Sequence, residues 1–500
     1  MLTLLLLIPV AAGLVCALVR SRLIMAAVNV AAFGIELALG LRLFGEVLKN
    51  GTVCEWGGFL CADALSAWMT LLISAVSLGT SLYGGRYFRR ELAARAVGEA
   101  QVRHFFALTC LFAAGMFLVV LANNLGVMWF ALEATALTSV LLVALYNRKT
   151  SLEAAWKYVI LGSLGLALAL FGTVLTYAAA IIPQTGSGLP SFNWTHLMSV
   201  AAHLDQRMIK LAFVFALVGY GTKAGLAPMH TWLPDAHSEA PTPTSAMLSG
   251  VSLKIAIYAL LRFHILTTEC LGSGFSRNLL LGFGLLSMLL APSFILVQAN
   301  LKRLLAYSSL EHVGLICAGI GMNTPVTIFG ALLHMGYHAL TKPVLFFAAG
   351  NIHQAFHSLD LRRIGPGVIK ALPVTVLLMA LAAAAAVGLP PFGLFYSELT
   401  VIGGGFLAGR TAVGVIILLA LLASFCGILK QLTRILVGAR KSGELPSSSD
   451  ERNPKDEVSA WDGVPAMALL LGGLLVFSVW LPGSVFRLIR QAALIIGGAS

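Results

Sequence analysis

Charged side chains are scarce in this chain of 500 residues: Asp, Glu, Lys and Arg together make up 11%, and only 21 residues are acidic. Hydrophobic residues make up 58%, and the mean hydropathy is +0.90. This composition leaves little polar surface for a soluble domain and is typical of an integral membrane protein. The net charge is +12. This charge does not indicate nucleic-acid binding, because the chain has no predicted soluble domain that could present a basic surface.

Metal-binding and catalytic motifs are also lacking. The seven cysteines are scattered without a CxxC pair, which argues against an iron–sulfur or zinc site. The sequence has no nucleophile–base arrangement and no cofactor loop, so we expect no cofactor and no active site of its own. Cys54 and Cys61 share one predicted outward-facing loop, where either a disulfide or two thiols would fit.

About fourteen apolar segments of membrane-spanning length follow one another along the chain. They centre near residues 10, 33, 73, 113, 135, 167, 220, 253, 288, 312, 338, 388, 423 and 476. The predicted fold is therefore an all-α polytopic membrane protein. Lysine and arginine concentrate in the odd-numbered loops, so the positive-inside rule places both termini on the non-cytoplasmic side.

Two of these segments are interrupted in the same style. The seventh reads KLAFVFALVGYGTKAGLAPMHTWLPDAH, with a break around Gly225 and Pro228. The twelfth reads LAAAAAVGLPPFGLFYSELTVI, with a break around Gly388 and Pro391. Proline removes a backbone donor, and at membrane depth such a break persists only where it lines protein or water. We therefore expect helices 7 and 12 to be broken.

Each broken segment is the fourth of a five-helix set, helices 4–8 and 9–13. Because five is odd, the two sets run through the membrane in opposite senses, as in an inverted repeat around an ion or substrate pathway. The predicted division is 1–104 for helices 1–3, 105–265 and 275–440 for the repeats, 441–462 for a polar loop and 463–500 for a C-terminal helix. Two independently kinked helices are the alternative.

Several apolar segments carry ionisable residues near their middles: Glu133, Lys223, Lys254, His312, His334, His338, Lys342 and Glu398. A charge at the centre of a membrane helix costs roughly 2.5 to 3.5 kcal/mol on insertion scales. Pairing or water inside the bundle must offset this cost, so these residues indicate an ion pathway. Glu36, in the second segment, is assigned no role.

The position of each ionisable residue along the chain suggests its role in the expected ion pathway. We expect Glu133 and Lys223 to pair between the fifth and seventh helices, either as part of the pathway or only to fix helix register. Lys254 lies midway along the eighth helix, where a lysine facing the bundle interior suits loading and releasing protons. His312 is placed to connect Lys254 with the eleventh helix, and Glu398 is placed to end the path.

The eleventh segment carries a row of ionisable groups. His334, His338 and Lys342 recur at steps of four, so they share one helical face at a spacing of roughly 5 to 6 Å. A proton can pass along such a row by way of water. Structural histidines are one alternative; a metal site is the other, but no third ligand is apparent in the sequence.

Accessory positions are less defined. Lys157 starts the sixth helix and is predicted either to lie near the Glu133 and Lys223 pair or to anchor the helix at the interface. His230 and His237 follow the break in the seventh helix, where they would form a mouth or simply cap a solvated loop.

Four stretches carry a family resemblance: GYGTKAGLAPMHTWLPDAHSEAPTPTSAMLSG, LKRLLAYSSLEHVG, HMGYHALTKPVLFFAAGNI and GLPPFGLFYSEL. They resemble the antiporter-like subunits of respiratory complex I and its relatives, over nearly the whole chain. Four motifs look most like those of the F component of hydrogenase-4 and other membrane-bound hydrogenase complexes: SSLEHVG, LEATALTS, EAAWKYVILGS and PPFGLFYSE. Several relatives have lysine where this chain has Glu398.

The resemblance implies a fourteen-helix proton-translocating subunit of a redox complex in a bacterial or archaeal cytoplasmic membrane. By motif position, Glu133 and Lys223 would be the fifth- and seventh-helix pair and Lys254 the central lysine. His334 and His338 would bridge to Glu398, the exit residue, with Lys342 at the end of the row. Partners would be other membrane subunits and a peripheral hydrogenase or dehydrogenase module, and this chain would bind no flavin, cluster or nickel. A subunit of NADH:quinone oxidoreductase, a sodium/proton antiporter and a non-conducting scaffold are the alternatives.

Overall fold

The protein folds as a multi-pass helical membrane protein, seen here in a computed structural model that describes residues 1–181, 191–364, 367–436 and 461–498. Its α-helices in chain order are α1 (Leu2–Leu18), α2 (Arg22–Asn50), α3 (Ala64–Ala93), α4 (Glu99–Leu121), α5 (Leu125–Val143), α6 (Lys149–Ile181), α7 (Trp194–Ser199), α8 (Gln206–Ala224), α9 (Trp232–Glu239), α10 (Thr242–Met247), α11 (Leu253–Leu271), α12 (Gly274–Val297), α13 (Leu301–Gly321), α14 (Pro325–Phe356), α15 (Gly367–Ala371), α16 (Pro373–Ala386), α17 (Gly393–Leu407), α18 (Thr411–Leu436), α19 (Val464–Val479) and α20 (Gly483–Gly497).

Nine helices in the described part of the chain are long and apolar enough to cross a membrane, counting α10 and α11 as one. They are α2, α3, α4, α5 with its following turn, α6, α10 with α11, α12, α13 and α18. α1 and α16 are apolar but shorter, while α8 and α14 carry ionisable residues of the expected pathway. The all-α expectation holds for the transmembrane part, and the count of fourteen remains a prediction.

The C-terminal region differs from the sequence-based expectation. Where one helix was expected over 463–500, the chain forms α19 and α20, which are bent relative to each other by 84°. Trp480 ends α19 in an extended conformation, and Pro482 precedes the start of α20. Residues 441–460 of the predicted polar loop lie outside the described residues.

A small antiparallel hairpin follows α2. Strand β1 (Val53–Glu55) pairs with β2 (Leu60–Ala62), and the register places Cys54 opposite Cys61. The two cysteines form a disulfide, which answers the question that their spacing left open.

Both broken helices end their first halves in the same way. Gly225, at the end of α8, and Gly388, after α16, have φ angles of +76° and +68°, which glycine adopts without the steric cost of a side chain. The hydrogen bonds that close each end also match, and both form a Schellman motif. At the end of α8, Gly225 N donates to Thr222 O at 3.1 Å and Leu226 N to Gly221 O at 2.8 Å. After α16, Gly388 N donates to Ala385 O at 3.1 Å and Leu389 N to Ala384 O at 3.0 Å.

A second correspondence links α5 and α13. Asn124 caps the first turn of α5 and Asn300 caps that of α13, each accepting backbone hydrogen bonds through its side chain. Each asparagine also forms an isolated antiparallel bridge to a loop much later in the chain, Asn124 to Asn193 and Asn300 to Asp360. Helices α5 and α13 therefore begin with the same kind of cap and the same kind of bridge.

A buried ion pair joins α3 to α11 at one end of the bundle. Asp63, the residue before α3, accepts two hydrogen bonds from the Arg262 guanidinium, at 2.6 and 2.9 Å. Burial opposes ionisation of this carboxyl, but the charge and hydrogen bonds of Arg262 and the Ser66 amide hold the pKa of Asp63 below its usual value. Arg262 also lies over the Trp194 ring, 4.4 Å from its centroid.

Candidate functional site

Lys254 lies at the centre of the bundle, two residues beyond the end of a π-helical turn (Leu248–Ser252). Its side chain is fully buried, and Nζ lies 2.6 Å from the Ser249 carbonyl oxygen, to which it donates. Nζ also lies 2.6 Å from His338 Nδ1 on α14. Single π-turns often occur at functional sites. Here the turn provides the backbone oxygen that binds the central ammonium.

Three buried histidines continue from Lys254. His312 Nδ1 on α13 lies 3.0 Å from His334 Nε2 on α14. The His312 ring packs edge-on against His338, with 4.7 Å between the centroids. His334 and His338 share a face of α14 as the spacing predicted, but their rings are 6.4 Å apart. His312 therefore lies between these two histidines, whereas the link to Lys254 that the sequence assigned to His312 is made directly by His338.

Glu398 lies at the far end of this group. His334 Nδ1 lies 2.9 Å from Ser397 Oγ on α17, the residue before Glu398. Within the described residues Glu398 Oε1 has no hydrogen-bond partner, although the residue is only 7% exposed. Its other oxygen lies over the break between α16 and α17, where a Cβ added to Gly388 would overlap it. The glycine therefore makes room for the carboxylate.

Lys342 and Glu311 extend the buried cluster. Lys342 Nζ donates to the Leu305 carbonyl oxygen of α13 at 3.1 Å. Glu311, also on α13, is 2% exposed and interacts electrostatically with both Lys342 and Glu398. Sequence reasoning set Glu311 aside because it points away from His312 on the helix. Its partners come from other helices, which helical spacing alone does not reveal.

Lys223 and Glu133 do not form the direct pair expected from sequence. Lys223 Nζ is buried and donates to the Tyr158 hydroxyl on α6 at 2.7 Å. That hydroxyl lies 2.8 Å from Ser139 Oγ on α5, the helix that carries Glu133. Among the described residues no ion pair within 4 Å joins Glu133 to Lys223, and the half-buried carboxylate interacts with the lysine only at longer range.

Tyr158 is a residue that sequence reasoning missed. Its ring stacks on Trp232 of α9, with centroids 4.3 Å apart, and Trp232 Nε1 donates to the Thr222 carbonyl oxygen at 2.9 Å. The sequence feature that could have identified Tyr158 is its position directly after Lys157 in EAAWKYVILGS. Consecutive helical residues point about 100° apart, so only one of the two could face the bundle interior.

Lys157 itself lies at the surface. It is 47% exposed and pairs with Glu153 at 2.7 Å and Asp235 at 3.0 Å. Arg303 also forms an ion pair with Asp235. Lys157 therefore belongs to an interfacial network that joins α6, α9 and α13, in agreement with the anchor alternative.

The two histidines after the α8 break are buried rather than solvated. His230 packs near Phe294, with 6.1 Å between ring centroids. His237 is fully buried and stacked on Phe346 at 5.0 Å, and neither ring nitrogen has a hydrogen-bond partner in the described ranges. His237 interacts electrostatically with Lys342 and Lys254. It lies close to the central group although it belongs to α9.

The same cluster contains the donor set of a transition-metal site. One ligand atom from each of His312, His334 and Glu398 lies within 4.8 Å of the others. Two histidines and a carboxylate are a set that Zn²⁺ accepts. Folding thus provides the third ligand that spacing along the sequence did not reveal. These are the residues that would hold a metal, and the same short separations suit proton transfer.

The fold and the buried group define a class of protein: a multi-pass helical membrane protein with ionisable side chains in hydrogen-bonded contact at its centre. Residues 122–425 match the family model of the NADH:quinone oxidoreductase/Mrp antiporter transmembrane region. The chain belongs to this family, and the resemblance inferred from its motifs is confirmed. It is an antiporter-like member of the complex I, Mrp and hydrogenase superfamily.

Two relatives and one solved structure illustrate the similarity. A hydrogenase-4 component F homolog from Methylacidiphilum infernorum is 41% identical over 365 residues, covering 72% of this chain and 76% of the relative. NADH-quinone oxidoreductase subunit N from Desulforudis audaxviator is 32% identical over 364 residues, covering 72% and 69%. A chain of the Mrp complex from Dietzia sp. has the same fold, with a TM-score of 0.84 at 20% identity over 100% of this chain and 98% of that chain.

Proposed function

We propose that this chain is the proton-translocating subunit of a membrane-bound redox complex of the hydrogenase-4 or formate hydrogenlyase type. It would couple electron transfer in partner subunits to proton movement across the membrane. The observation that carries the proposal is the close chain of buried groups from Lys254 and His338, through His312 and His334, to Ser397 beside Glu398. The higher identity to a hydrogenase-4 component F homolog than to a subunit N supports the choice of complex.

The proposed architecture has fourteen spans and both termini on the non-cytoplasmic side. The spans are α1, α2, α3, α4, α5, α6, α8 with α9, α10 with α11, α12, α13, α14, α16 with α17, α18 and α19. The matched glycine ends of α8 and α16 and the matched asparagine caps of α5 and α13 support two inverted repeats. The proposed repeats span residues 105–265 and 275–440, and the helices that would form the first of them, α4 to α11, run from Glu99 to Leu271.

Proton passage in this proposal begins at Lys254. Among the described residues, the groups within hydrogen-bond distance of its ammonium are the Ser249 carbonyl oxygen and the His338 ring. A charge gained or lost by one buried group changes the free energy of charging its neighbours, because the interior screens charge weakly. Protonation of His338 or His312 would therefore favour onward transfer to His334. Glu398, with an unpartnered oxygen within the described residues, would then receive the proton.

Coupling to the partner subunits would run through Lys223. A change at Glu133, which is half-buried in α5, alters the field at Lys223. The hydrogen bonds from Lys223 to Tyr158 and from Tyr158 to Ser139 give a physical link between α8, α6 and α5. We propose that this group, with His230 as an accessory residue, transmits a charge change to Lys254.

The test is redox-linked proton uptake in vesicles containing the whole complex. Lys223→Met and Glu133→Gln are expected to uncouple electron transfer from proton uptake. Lys210→Met is the matched control, because Lys210 is exposed on the same helix α8. Proton uptake at the wild-type rate in both test variants would refute the coupling mechanism.

Two rivals give different outcomes in the same vesicles. A multisubunit sodium/proton antiporter would move sodium, so transport measured with and without sodium separates the two ions. A non-conducting scaffold would lose assembly, but not coupling, when Lys254 and Glu398 are neutralised together. Native gels compared with proton flux separate that role from conduction. An antiporter-like subunit of NADH:quinone oxidoreductase would be found with a different peripheral module in the purified complex.

A further inference from the structure

A large cavity opens at one end of helices α1 to α4, away from the buried ionisable groups. Its volume is about 1370 Å³, above the range of about 300 to 1,000 Å³ for small-molecule pockets. The basic and acidic residues in its lining are Arg20, Arg22, Arg86, Arg89, Arg103 and Glu99. The lining thus contains five arginines and one glutamate.

Most of this positive charge is not neutralised by the protein. Arg22 lies 3.5 Å from Glu99, and Arg86 donates to the Trp461 carbonyl oxygen at 3.4 Å and lies 3.8 Å from an Asp462 carboxylate oxygen. For Arg20, Arg89 and Arg103, no ion pair or side-chain hydrogen bond forms with any residue that the structure describes. Three guanidinium groups around one cavity indicate a ligand that carries negative charge.

The rest of the lining is apolar, and its placement restricts the class of ligand. The arginines lie at or near helix ends: Arg22 begins α2, Arg89 is in the last turns of α3 and Arg103 in the first turns of α4. The apolar wall extends further into the helices. Val30, for example, is about 12 Å beyond Arg22 along α2. The cavity therefore has a cationic rim at the helix ends and an apolar wall below it.

We propose that this cavity binds an anionic phospholipid, with its phosphate held by Arg20, Arg89 and Arg103 and its acyl chains against α2 and α4. Arginine binds phosphate oxygens in pairs of parallel hydrogen bonds. Basic pockets between transmembrane helices are known to take anionic lipid head groups. A soluble phosphate compound would use the rim but leave the apolar wall in contact with water. The site is independent of the proposed proton pathway.

The first experiment measures lipid retention by the purified, full-length protein in its complex. We expect mass spectrometry to find phosphatidylglycerol bound in preference to phosphatidylcholine after reconstitution with both. Arg89→Gln/Arg103→Gln should reduce bound phosphatidylglycerol about 25-fold, because each interfacial arginine contributes about fivefold to anionic-lipid affinity. Arg42→Gln/Arg487→Gln is the matched control, since both arginines are exposed and lie outside the cavity. It should retain lipid as the wild type does.

A second experiment uses the wild-type protein, so it does not depend on a variant that folds. Phosphatidylglycerol with a photoreactive acyl chain should crosslink to peptides of α2 and α4, and excess glycerol phosphate should not compete. Crosslinks spread evenly over lipid-facing helices, or equal retention of the two lipids, would overturn the proposal. So would a crosslink from an Arg89→Cys variant to a neighbouring subunit, together with no bound phosphatidylglycerol, because the cavity would then be a protein interface.

Discussion

Lys254 Nζ lies 2.6 Å from His338 Nδ1, across the contact between α11 and α14. Within the described residues no carboxylate lies within 4 Å of this ammonium. A buried lysine bound by a carbonyl and an imidazole ring differs from one held in an ion pair, because its charge has no fixed carboxylate partner. In the proposed pathway this lysine would therefore change protonation state when a neighbouring group does.

His338→Gln tests whether this contact carries protons. Glutamine keeps a hydrogen-bonding group near Lys254 but cannot titrate, so proton uptake should fall by roughly 100-fold, the scale of one lost acid–base group. The measurement is redox-linked proton uptake in vesicles, with complex assembly checked on native gels. His196→Gln on α7 is the control. Undiminished uptake by His338→Gln would show that the ring only packs against His312.

Tyr158→Phe tests the connection to Lys223. The change removes the hydroxyl that accepts from Lys223 and contacts Ser139, but keeps the ring that stacks on Trp232. A hydrogen bond to a charged group is worth about 1.5 to 3 kcal/mol, so the rate of redox-linked proton uptake should fall by roughly tenfold or more. Tyr177→Phe on the same helix is the matched control. If Glu133→Gln uncouples the complex while Tyr158→Phe does not, the long-range field matters and the hydrogen bond does not.

Gly388→Ala should displace Glu398. The new Cβ would overlap Glu398 Oε2, and the φ of +68° is unfavourable for alanine. We expect lower thermal stability and loss of proton uptake. Gly403→Ala in α17 is the control, because nothing lies within 4 Å of its added Cβ and alanine favours helix. Normal uptake by Gly388→Ala would show that Glu398 need not occupy this position.

Asp63→Asn should destabilise the protein by about 3 kcal/mol, because it leaves the buried Arg262 without its counter-charge. The folded-state pKa of Asp63 is below its usual value, so its contribution is present above about pH 4 and is lost as pH falls through the folded-state pKa. The difference in melting temperature between wild type and variant should thus be constant at neutral pH and shrink in acid. Glu46→Gln, at an exposed pair with Arg42, should change little.

Chelator treatment separates the two uses of His312, His334 and Glu398. If these side chains carry protons, EDTA should leave proton uptake unchanged, and the purified complex should contain no zinc in proportion to this subunit. Zinc bound in a one-to-one ratio, and lost in Glu398→Gln, would instead assign a metal to the site.

The sequence was informative wherever the signal is local. Apolar length set the membrane class, and Gly225 and Gly388 marked the broken helices, because proline and glycine act on the backbone where they stand. The steps from His334 to His338 and Lys342 placed these groups on one helical face. Family motifs then gave the superfamily, which the comparisons confirmed.

Only the tertiary structure decided which groups meet. It replaced a direct Glu133 to Lys223 pair with the Tyr158 contact, and it brought Glu398 to the histidines of α13 and α14. It also gathered the arginines of three separate helices around one cavity. Helical periodicity fixes which side of a helix a residue occupies, but not which other helix packs there. That choice depends on packing between segments far apart in the chain.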